Sequence, residues 1–244
     1  DYLLRDGYFT GAEHAKIDHN RITNSFEVYK NKLALQSSAL VNFETMMISR
    51  FQMFKAVYFH KTVRAGEVML LEAMSLADDY LGLSKMNVES YMIQTDDSIL
   101  QQLTSLPEDT SELKAAKKIA TDYQDRKLFK CVFEKTISGK KSFGRNKLKQ
   151  FREDIAKKSK LAESQIFIDT STTHSMPLAP SKKESSSIIL IKKEGSKIIP
   201  KTIPISEIPL VSSMSGKMNI LRAYTQQKNR NKVEIAAKSI LGEL

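Results

Sequence analysis

The sequence predicts an α+β fold, with a mainly helical first half followed by a small α+β unit. Before residue 126, apolar residues recur at steps of three and four, as they do on one face of a helix. After residue 126, β-branched and aromatic runs are separated by segments rich in Gly, Pro and Ser. We therefore predict a helical domain over residues 1–126 and a small α+β domain over residues 127–244.

A short helix is predicted at the amino-terminal end of the sequence. Tyr2 and Asp6 are four residues apart and would therefore lie on one face of this helix. Asp1 and Arg5 have the same spacing, which favours an ion pair.

A hairpin and a long amphipathic helix are predicted next. Alternation of polar and apolar residues over residues 21–35 predicts two short strands, with Asn31 in the turn between them. Helical spacing of apolar residues over residues 40–61 predicts one continuous helix. At about 100° per residue, Arg50 and Lys61 would lie about 20° apart on its surface. An arginine at the edge of an apolar stripe needs an anion or a carboxylate as its partner.

Two further helices are predicted before residue 126. The first carries apolar residues over residues 69–80, and Gly82 is placed to end it. The second covers residues 109–123, where Asp109 and Glu112 have the spacing of a capping box.

The second half alternates strands, helices and turns. Pro200 and Pro204 exclude a central strand between residues 198 and 208, because proline cannot donate to a strand ladder. The predicted elements are, in order, a strand over 127–137, a turn over 138–141, a basic helix over 144–160, a strand over 165–170, an exposed loop over 171–187, a strand over 188–192, an edge segment over 198–208, a strand over 219–225 and a helix over 231–241.

Composition limits the partners and the compartment. The net charge of +10, from 38 basic and 28 acidic residues, favours polyanions such as nucleotides or nucleic acid, with a solvated lysine-rich surface as the alternative. The single cysteine, Cys131, excludes an internal disulfide and favours a reducing, cytoplasmic setting. No apolar run reaches the roughly 18 residues of a membrane span. The four histidines are scattered, and no Gly-rich phosphate loop or zinc-type Cys pair is present.

Three segments, in this order and at these separations, resemble one family. They are D-Y-L-L-R-D-G-Y-F-T-G at residues 1–11, the segment from Arg50 to Y-F-H-K at residues 58–61, and R-K-L-F-K at residues 126–130. Together they are similar to motifs of the HD-domain deoxynucleoside triphosphate (dNTP) triphosphohydrolases, which include the vertebrate enzyme with a sterile-alpha-motif domain. The resemblance covers most of the chain and implies that residues 1–126 are the rear part of an HD-domain helical bundle.

The resemblance implies a substrate-binding role for four residues. Tyr2 and Tyr58 would line a deoxyribose pocket, and Asp6 would accept a hydrogen bond from the 3′-hydroxyl of the sugar. Arg50 would hold the triphosphate with its fork of donors. The resemblance also implies regulatory phosphate contacts, a homo-oligomer and dNTP partners; the residues that match regulatory contacts are Arg21, His60, Lys61, Arg126 and Lys130.

In this family a divalent metal is held by histidine and aspartate ligands that precede the opening D-Y-L-L-R-D motif, and they have no match in this sequence. The resemblance therefore implies the C-terminal portion of a phosphohydrolase that converts a dNTP to deoxynucleoside and triphosphate. No catalytic residue and no metal ligand is expected in this chain, which alone is expected to be inactive. The alternatives are a catalytically inactive nucleotide-binding or oligomerisation module, and a basic nucleic-acid-binding protein that uses the helix over residues 144–160.

Overall fold

A computed structural model of the chain describes residues 1–12, 16–137, 143–174, 187–195, 197–210 and 217–242. It confirms the α+β class, with most helices in the first half and most strands in the second. The helices are α1 (Tyr2–Thr10), α2 (His19–Thr23), α3 (Leu40–Met53), α4 (Lys61–Leu81), α5 (Val88–Met92), α6 (Asp96–Thr104), α7 (Ser111–Gln124), α8 (Arg145–Ser159) and α9 (Arg230–Leu241). The strands are β1 (Phe26–Tyr29), β2 (Lys32–Gln36), β3 (Lys130–Ile137), β4 (Ile166–His174), β5 (Ser187–Glu194), β6 (Lys197–Pro204) and β7 (Lys217–Thr225).

Contacts group the residues into two compact units that do not follow chain order. These units do not coincide with the predicted division between residues 126 and 127. That division concerns separate domains along the chain, and it stays a prediction. The first unit comprises residues 1–60, 136–142 and 171–219, and the second comprises residues 61–135, 143–170 and 220–244.

The first unit contains a four-stranded sheet with the order β1-β2-β5-β6. The predicted hairpin is confirmed: Val28 of β1 pairs with Leu33 of β2, and Lys30 and Asn31 turn with φ of 50° and 59°. Strand β6 lies at the edge, as its two prolines require. The core beneath the sheet consists of Leu35, Ala39, Phe43, Met47, Leu190, Ile205 and Ile208.

The prediction of one continuous helix over residues 40–61 is wrong. Helix α3 ends at Met53 and is followed by a π-helical turn over Phe54–Tyr58. The amide of Phe59 donates to the carbonyl of Phe54 at 2.8 Å, a five-residue step, and φ of −100° and ψ of 12° take Phe59 out of the helix. Lys61 begins α4 in the second unit, so it does not share a helix face with Arg50.

The second unit is built on the packing of α4 against α7. Small residues on the buried face of α4 allow the close approach: a Cβ on Gly66 would meet the ring of Tyr123 at 3.2 Å. Gly82 adopts φ of 65° and ends α4 as predicted.

A three-stranded sheet has the order β3-β7-β4, and the larger part of each strand lies in the second unit. In the same unit, α8 packs against α9. In its core the rings of Phe129 and Phe167 stack 4.3 Å apart. The predicted turn over residues 138–141 lies outside the described residues. So does most of the predicted loop over 171–187, whose first residues, to His174, continue β4.

The predicted capping residue of α7 is wrong by one position. The hydroxyl of Thr110, rather than the carboxylate of Asp109, accepts a hydrogen bond from the amide of Leu113 at 3.2 Å. Thr110 directly precedes the first helical turn, so its side chain can accept a hydrogen bond from a free amide of that turn.

Thr110→Ala is expected to lower the free energy of unfolding by about 1 kcal/mol, because the amide of Leu113 loses its capping partner. Asp109→Ala is the matched control and is expected to change that free energy by less than about 0.5 kcal/mol. Urea denaturation of both variants measures the difference. A larger loss in Asp109→Ala than in Thr110→Ala would contradict the assignment.

No helix within the described ranges is long and apolar enough to cross a membrane.

Candidate functional site

The four predicted substrate-binding residues come together in the first unit. Tyr2 and Asp6 lie four residues apart on α1, which packs against α3. Arg50 lies in the last turn of α3, and Tyr58 ends the π-helical turn. We call Tyr2, Asp6, Arg50 and Tyr58 the first-unit cluster.

Direct contacts join the members of the first-unit cluster. The hydroxyl of Tyr58 donates to Oδ2 of Asp6 at 2.5 Å, and Nη1 of Arg50 donates to the hydroxyl of Tyr2. The rings of Tyr2 and Tyr58 are 6.3 Å apart between centroids. The cluster therefore presents one carboxylate, one guanidinium and two tyrosine rings.

The π-helical turn sets the direction of Tyr58. In an unbroken α-helix at about 100° per residue, Tyr58 would stand roughly 80° round the axis from Arg50. A π-turn takes more residues per turn, so it winds more slowly and reduces this offset. Single π-turns within helices occur frequently at functional sites, and here the turn lets one helical segment present both side chains to α1.

Arg50 is half-buried and lacks an anionic partner. Among the described residues it forms no ion pair with a carboxylate, and its buried Nε atom has no hydrogen-bond partner. Its guanidinium lies over the ring of Phe54, 4.6 Å from the centroid. Burial lowers the pKa of Arg50 below its ordinary value. A buried, unsatisfied donor costs free energy, and a bound anion would recover it.

The carboxylate of Asp6 is held ionised. The hydrogen bond from Tyr58 lowers the pKa of Asp6, and a second hydrogen bond from Nε of Arg5, at 2.9 Å, lowers it further. Burial and the same bond to Asp6 raise the pKa of Tyr58 to about 12, so its hydroxyl stays protonated as a donor. Each oxygen of Asp6 has a lone pair left to accept another hydrogen bond.

Tyr58→Phe is expected to raise the pKa of Asp6 towards its ordinary value of 3.8, because the largest stabilisation of the charged form is removed. Arg5→Ala is the matched control and is expected to raise it less. A carboxyl-carbon NMR titration measures both shifts. Folding depresses this pKa, so the associated stability is present above the unfolded value and is lost as pH falls through the folded one. An equal or smaller shift in Tyr58→Phe would contradict the assignment.

The five predicted regulatory residues are divided between the two units. Arg21 lies in α2 and His60 follows the π-helical turn, both in the first unit. The other three, Lys61, Arg126 and Lys130, line one cavity of about 330 Å³ in the second unit.

This cavity, which we call the basic pocket, contains a residue that the sequence did not indicate. Arg230, the first residue of α9, joins Lys61, Arg126 and Lys130 in its lining. The remaining lining residues are Thr62, Leu128, Phe129 and Cys131. Burial raises the pKa of the Cys131 thiol, which makes Cys131 a poor nucleophile. The one local feature of the sequence that could have drawn attention to Arg230 is its position at the start of a helix, where a cation is unfavourable.

Arg126 holds a strained backbone position in this pocket. Its φ of 58° is left-handed, and the amide of the next residue, Lys127, donates to the carbonyl of Asp122 at 2.7 Å, as at the end of a helix. Glycine is the usual residue there, and a side chain costs roughly 1–2 kcal/mol.

The described residues do not fit a metal centre. No three His, Cys, Asp or Glu side chains in the described parts of the chain lie close enough together to share an ion. No chemical step is therefore assigned to a metal held by these residues.

The chain is similar to HD-domain proteins over most of its length. Residues 17–242 match the family model of the HD associated region. The chain is 29% identical over 170 residues to the deoxynucleoside triphosphate triphosphohydrolase SAMHD1 homolog of Dictyostelium discoideum, covering 69% of this chain and 32% of that protein. A putative HD domain-containing protein of Acanthamoeba polyphaga mimivirus is 29% identical over 149 residues, or 55% of this chain and 32% of its own length. The chain thus spans about a third, or less, of the curated relatives it matches.

Two solved structures share the fold. A hypothetical protein from Aquifex aeolicus superposes with a TM-score of 0.67 at 22% identity, covering 97% of this chain and 55% of that one. A phosphohydrolase from Bacteroides thetaiotaomicron superposes with a TM-score of 0.57 at 19% identity, covering 93% of this chain and 60% of that one.

Proposed function

The chain belongs to the HD-associated-region family of HD-domain dNTPase-like proteins, and on this premise we propose that its first-unit cluster binds the sugar and phosphates of a dNTP. The reaction of the whole protein would be hydrolysis of a dNTP to deoxynucleoside and triphosphate. The Dictyostelium discoideum relative, named for this activity, supports the proposal.

The observation that carries the proposal is that the guanidinium of Arg50, which has no carboxylate partner among the described residues, lies in one cluster with the ionised carboxylate of Asp6. A nucleotide offers complementary groups: a phosphate anion for Arg50 and a sugar hydroxyl donor for Asp6. The rings of Tyr2 and Tyr58, 6.3 Å apart between centroids, offer apolar surface against which a deoxyribose can pack.

These residues bind and orient the substrate. Tyr58 donates to Asp6 and so fixes the carboxylate that accepts the 3′-hydroxyl. The donors of Arg50 that Tyr2 does not use would engage the triphosphate and hold it in place for attack.

HD-domain phosphohydrolases are generally metal-dependent, and such a metal generates or positions the attacking water. The described residues supply no ligand set for one, so the part proposed for this chain is substrate binding. The absence of hydrolysis by this chain alone stays a prediction, as do the homo-oligomer and the cytoplasmic setting.

The basic pocket would bind regulatory phosphates through Lys61, Arg126 and Lys130. Their convergence on one cavity supports this second proposal. Arg21 and His60 stay predicted regulatory contacts, and nucleic acid stays an alternative partner for the basic surface.

Isothermal titration calorimetry tests the substrate proposal. The chain is titrated with each dNTP, the matching deoxynucleoside monophosphate and the matching ribonucleoside triphosphate. We expect the triphosphate to bind more tightly than the monophosphate, since Arg50 contacts the phosphates, and the deoxy form more tightly than the ribo form, since the tyrosine rings pack against the sugar. Equal affinity for all three would contradict the proposal.

A further inference from the structure

The basic pocket gathers four cations with no carboxylate among its lining residues. Lys61 comes from the start of α4, Arg126 and Lys130 flank the segment between α7 and β3, and Arg230 starts α9. Four positive side chains around one cavity of about 330 Å³ repel one another unless an anion lies between them.

Lysines next to the basic pocket form ion pairs with carboxylates. Lys118 pairs with Asp122 at 2.5 Å, and Lys127 pairs with Asp125 at 2.8 Å. None of the four pocket cations forms an ion pair with a carboxylate in the parts of the chain that the structure describes. The carboxylates nearby are thus used by cations outside the pocket, and the pocket keeps its charge.

Arg230 is the most costly of the four positions for a cation. It is the first residue of α9, where the helix dipole is positive and favours an anion. Glu234, one turn further along α9, pairs with Lys238 at 2.6 Å; the hydrogen bond from Lys238 lowers the pKa of Glu234, and the charge of Arg230 lowers it further. Asn229, directly before Arg230, is 8% exposed, makes no side-chain cap, and its Nδ2 has no hydrogen-bond partner within the described residues. An anion at this helix start would offset the unfavourable position of Arg230.

The walls of the pocket are fixed by buried contacts. The hydroxyl of Tyr224, which is fully buried, donates to the carbonyl of Lys61 at 3.1 Å. The amide of Phe129 donates to Sδ of Met69 at 3.4 Å, which fixes the chain between Arg126 and Lys130. The backbones that carry three of the four cations are thereby preorganised, so little ordering cost falls on binding.

We propose that Arg230 is a further phosphate-binding residue of the basic pocket, and that it gives the pocket a preference for a chain of phosphates over a single phosphate. This rests on the proposed regulatory phosphate binding. A single phosphate presents few oxygens and is satisfied by two or three of the cations. A triphosphate carries more charge over a greater length and can engage Arg230 together with the other three.

The test uses the chain with Arg50→Ala, so that the first-unit cluster does not contribute. Calorimetry measures the affinity for inorganic phosphate, for inorganic tripolyphosphate and for a dNTP. We expect tripolyphosphate to bind at least about tenfold more tightly than phosphate. The dNTP arm identifies the source of the phosphates: a nucleotide that binds more tightly than tripolyphosphate is the ligand, and otherwise the inorganic polyanion is.

Arg230→Ala, added to this background, is expected to weaken tripolyphosphate binding by about tenfold or more and to change phosphate binding less. Lys232→Ala is the matched control, since Lys232 is exposed on the same helix and does not line the pocket. Circular dichroism checks that α9 persists, and Arg230→Gln repeats the measurement with a polar side chain retained.

Unchanged tripolyphosphate affinity in both Arg230 variants, with a loss in Arg126→Ala, would overturn the role of Arg230 alone. No tripolyphosphate binding in the Arg50→Ala background would overturn the pocket as a whole. Neither result touches the substrate proposal, which is judged by whether Arg50→Ala lowers dNTP affinity in a chain whose basic pocket is disabled by Arg126→Ala and Arg230→Ala.

Discussion

In a chain whose basic pocket is disabled by Arg126→Ala and Arg230→Ala, Arg50→Ala is expected to weaken dNTP binding by about a hundredfold, because a charge-assisted hydrogen bond to phosphate contributes about 1.5–3 kcal/mol. The guanidinium is half-buried over Phe54, and its Nε has no partner among the described residues. The substitution therefore removes an arginine whose unsatisfied donor would gain its partner from the ligand. Among the described residues, the hydroxyl of Tyr2 loses its hydrogen bond and the ring of Phe54 loses its cation–π contact.

Stability is expected to separate this effect from unfolding. Alanine is a good helix former, and removing the unsatisfied Nε relieves a buried donor, so the midpoint of denaturation should fall little. Arg50→Lys keeps the charge but lacks the fork of donors, and we expect it to recover only part of the affinity. Calorimetry with the same dNTP measures all variants.

Lys55→Ala is the matched control for Arg50→Ala. Lys55 is exposed on the π-helical turn, and among the described residues it forms no hydrogen bond or ion pair with the first-unit cluster. Its replacement is expected to leave dNTP affinity within about twofold, as for an exposed charge screened by salt. Equal losses in Lys55→Ala and Arg50→Ala would show that general charge, and not the cluster, drives binding.

Asp169→Ala is expected to lower the free energy of unfolding by about 3 kcal/mol, the lower end of the range for breaking a buried ion pair. Asp169 on β4 is 7% exposed and accepts two hydrogen bonds from Arg64, at 3.1 Å from Nε and 2.6 Å from Nη2. Burial alone would lower the pKa of Arg64, yet the hydrogen bonds and charge of Asp169 raise it. Without Asp169 the guanidinium stays buried and underpaired.

Glu67→Gln tests whether burial, and not charge alone, causes this loss. Glu67 also pairs with Arg64, but its side chain is 46% exposed, so its loss should cost less than about 1 kcal/mol. The double variant Arg64→Met with Asp169→Leu should recover much of the stability, because an apolar pair avoids the desolvation penalty. Urea denaturation measures the three variants. An Asp169→Ala loss no greater than that of Glu67→Gln would contradict the assignment.

Patterns among near neighbours in the sequence predicted most of the secondary structure. The start of a helix at Leu40, the end of α4 at Gly82 and the turn at Lys30-Asn31 each depend on near neighbours, and the structure agrees with all three. Three short helices, α2, α5 and α6, were missed, although Thr95 and Ser98 form a capping box at the start of α6. Their apolar residues are too few to repeat over two turns, so periodicity did not detect them.

The family resemblance selected the four members of the first-unit cluster, and helical spacing and chemistry agreed with part of that selection. Tyr2 and Asp6 share a face because they are four residues apart, and Arg50 on an apolar stripe required an anionic partner from somewhere. What spacing could not settle was whether that partner is a carboxylate of the chain. Among the described residues, the structure places no carboxylate beside Arg50. Arg50 is therefore a candidate ligand contact and not a member of a structural ion pair.

Tertiary structure alone decided the features that depend on distant residues. The parallel pairing of β2 with β5 joins segments more than 150 residues apart, and no local pattern encodes such a partner. The π-helical turn replaced a helix that periodicity made continuous, since one hydrogen-bond step of five residues leaves the apolar spacing almost unchanged. Arg230 reached the basic pocket because α9 begins there. The sequence thus determined which side chains can bind a phosphate or a sugar, because charge and spacing are local properties; only the packing of remote segments determined which of them meet.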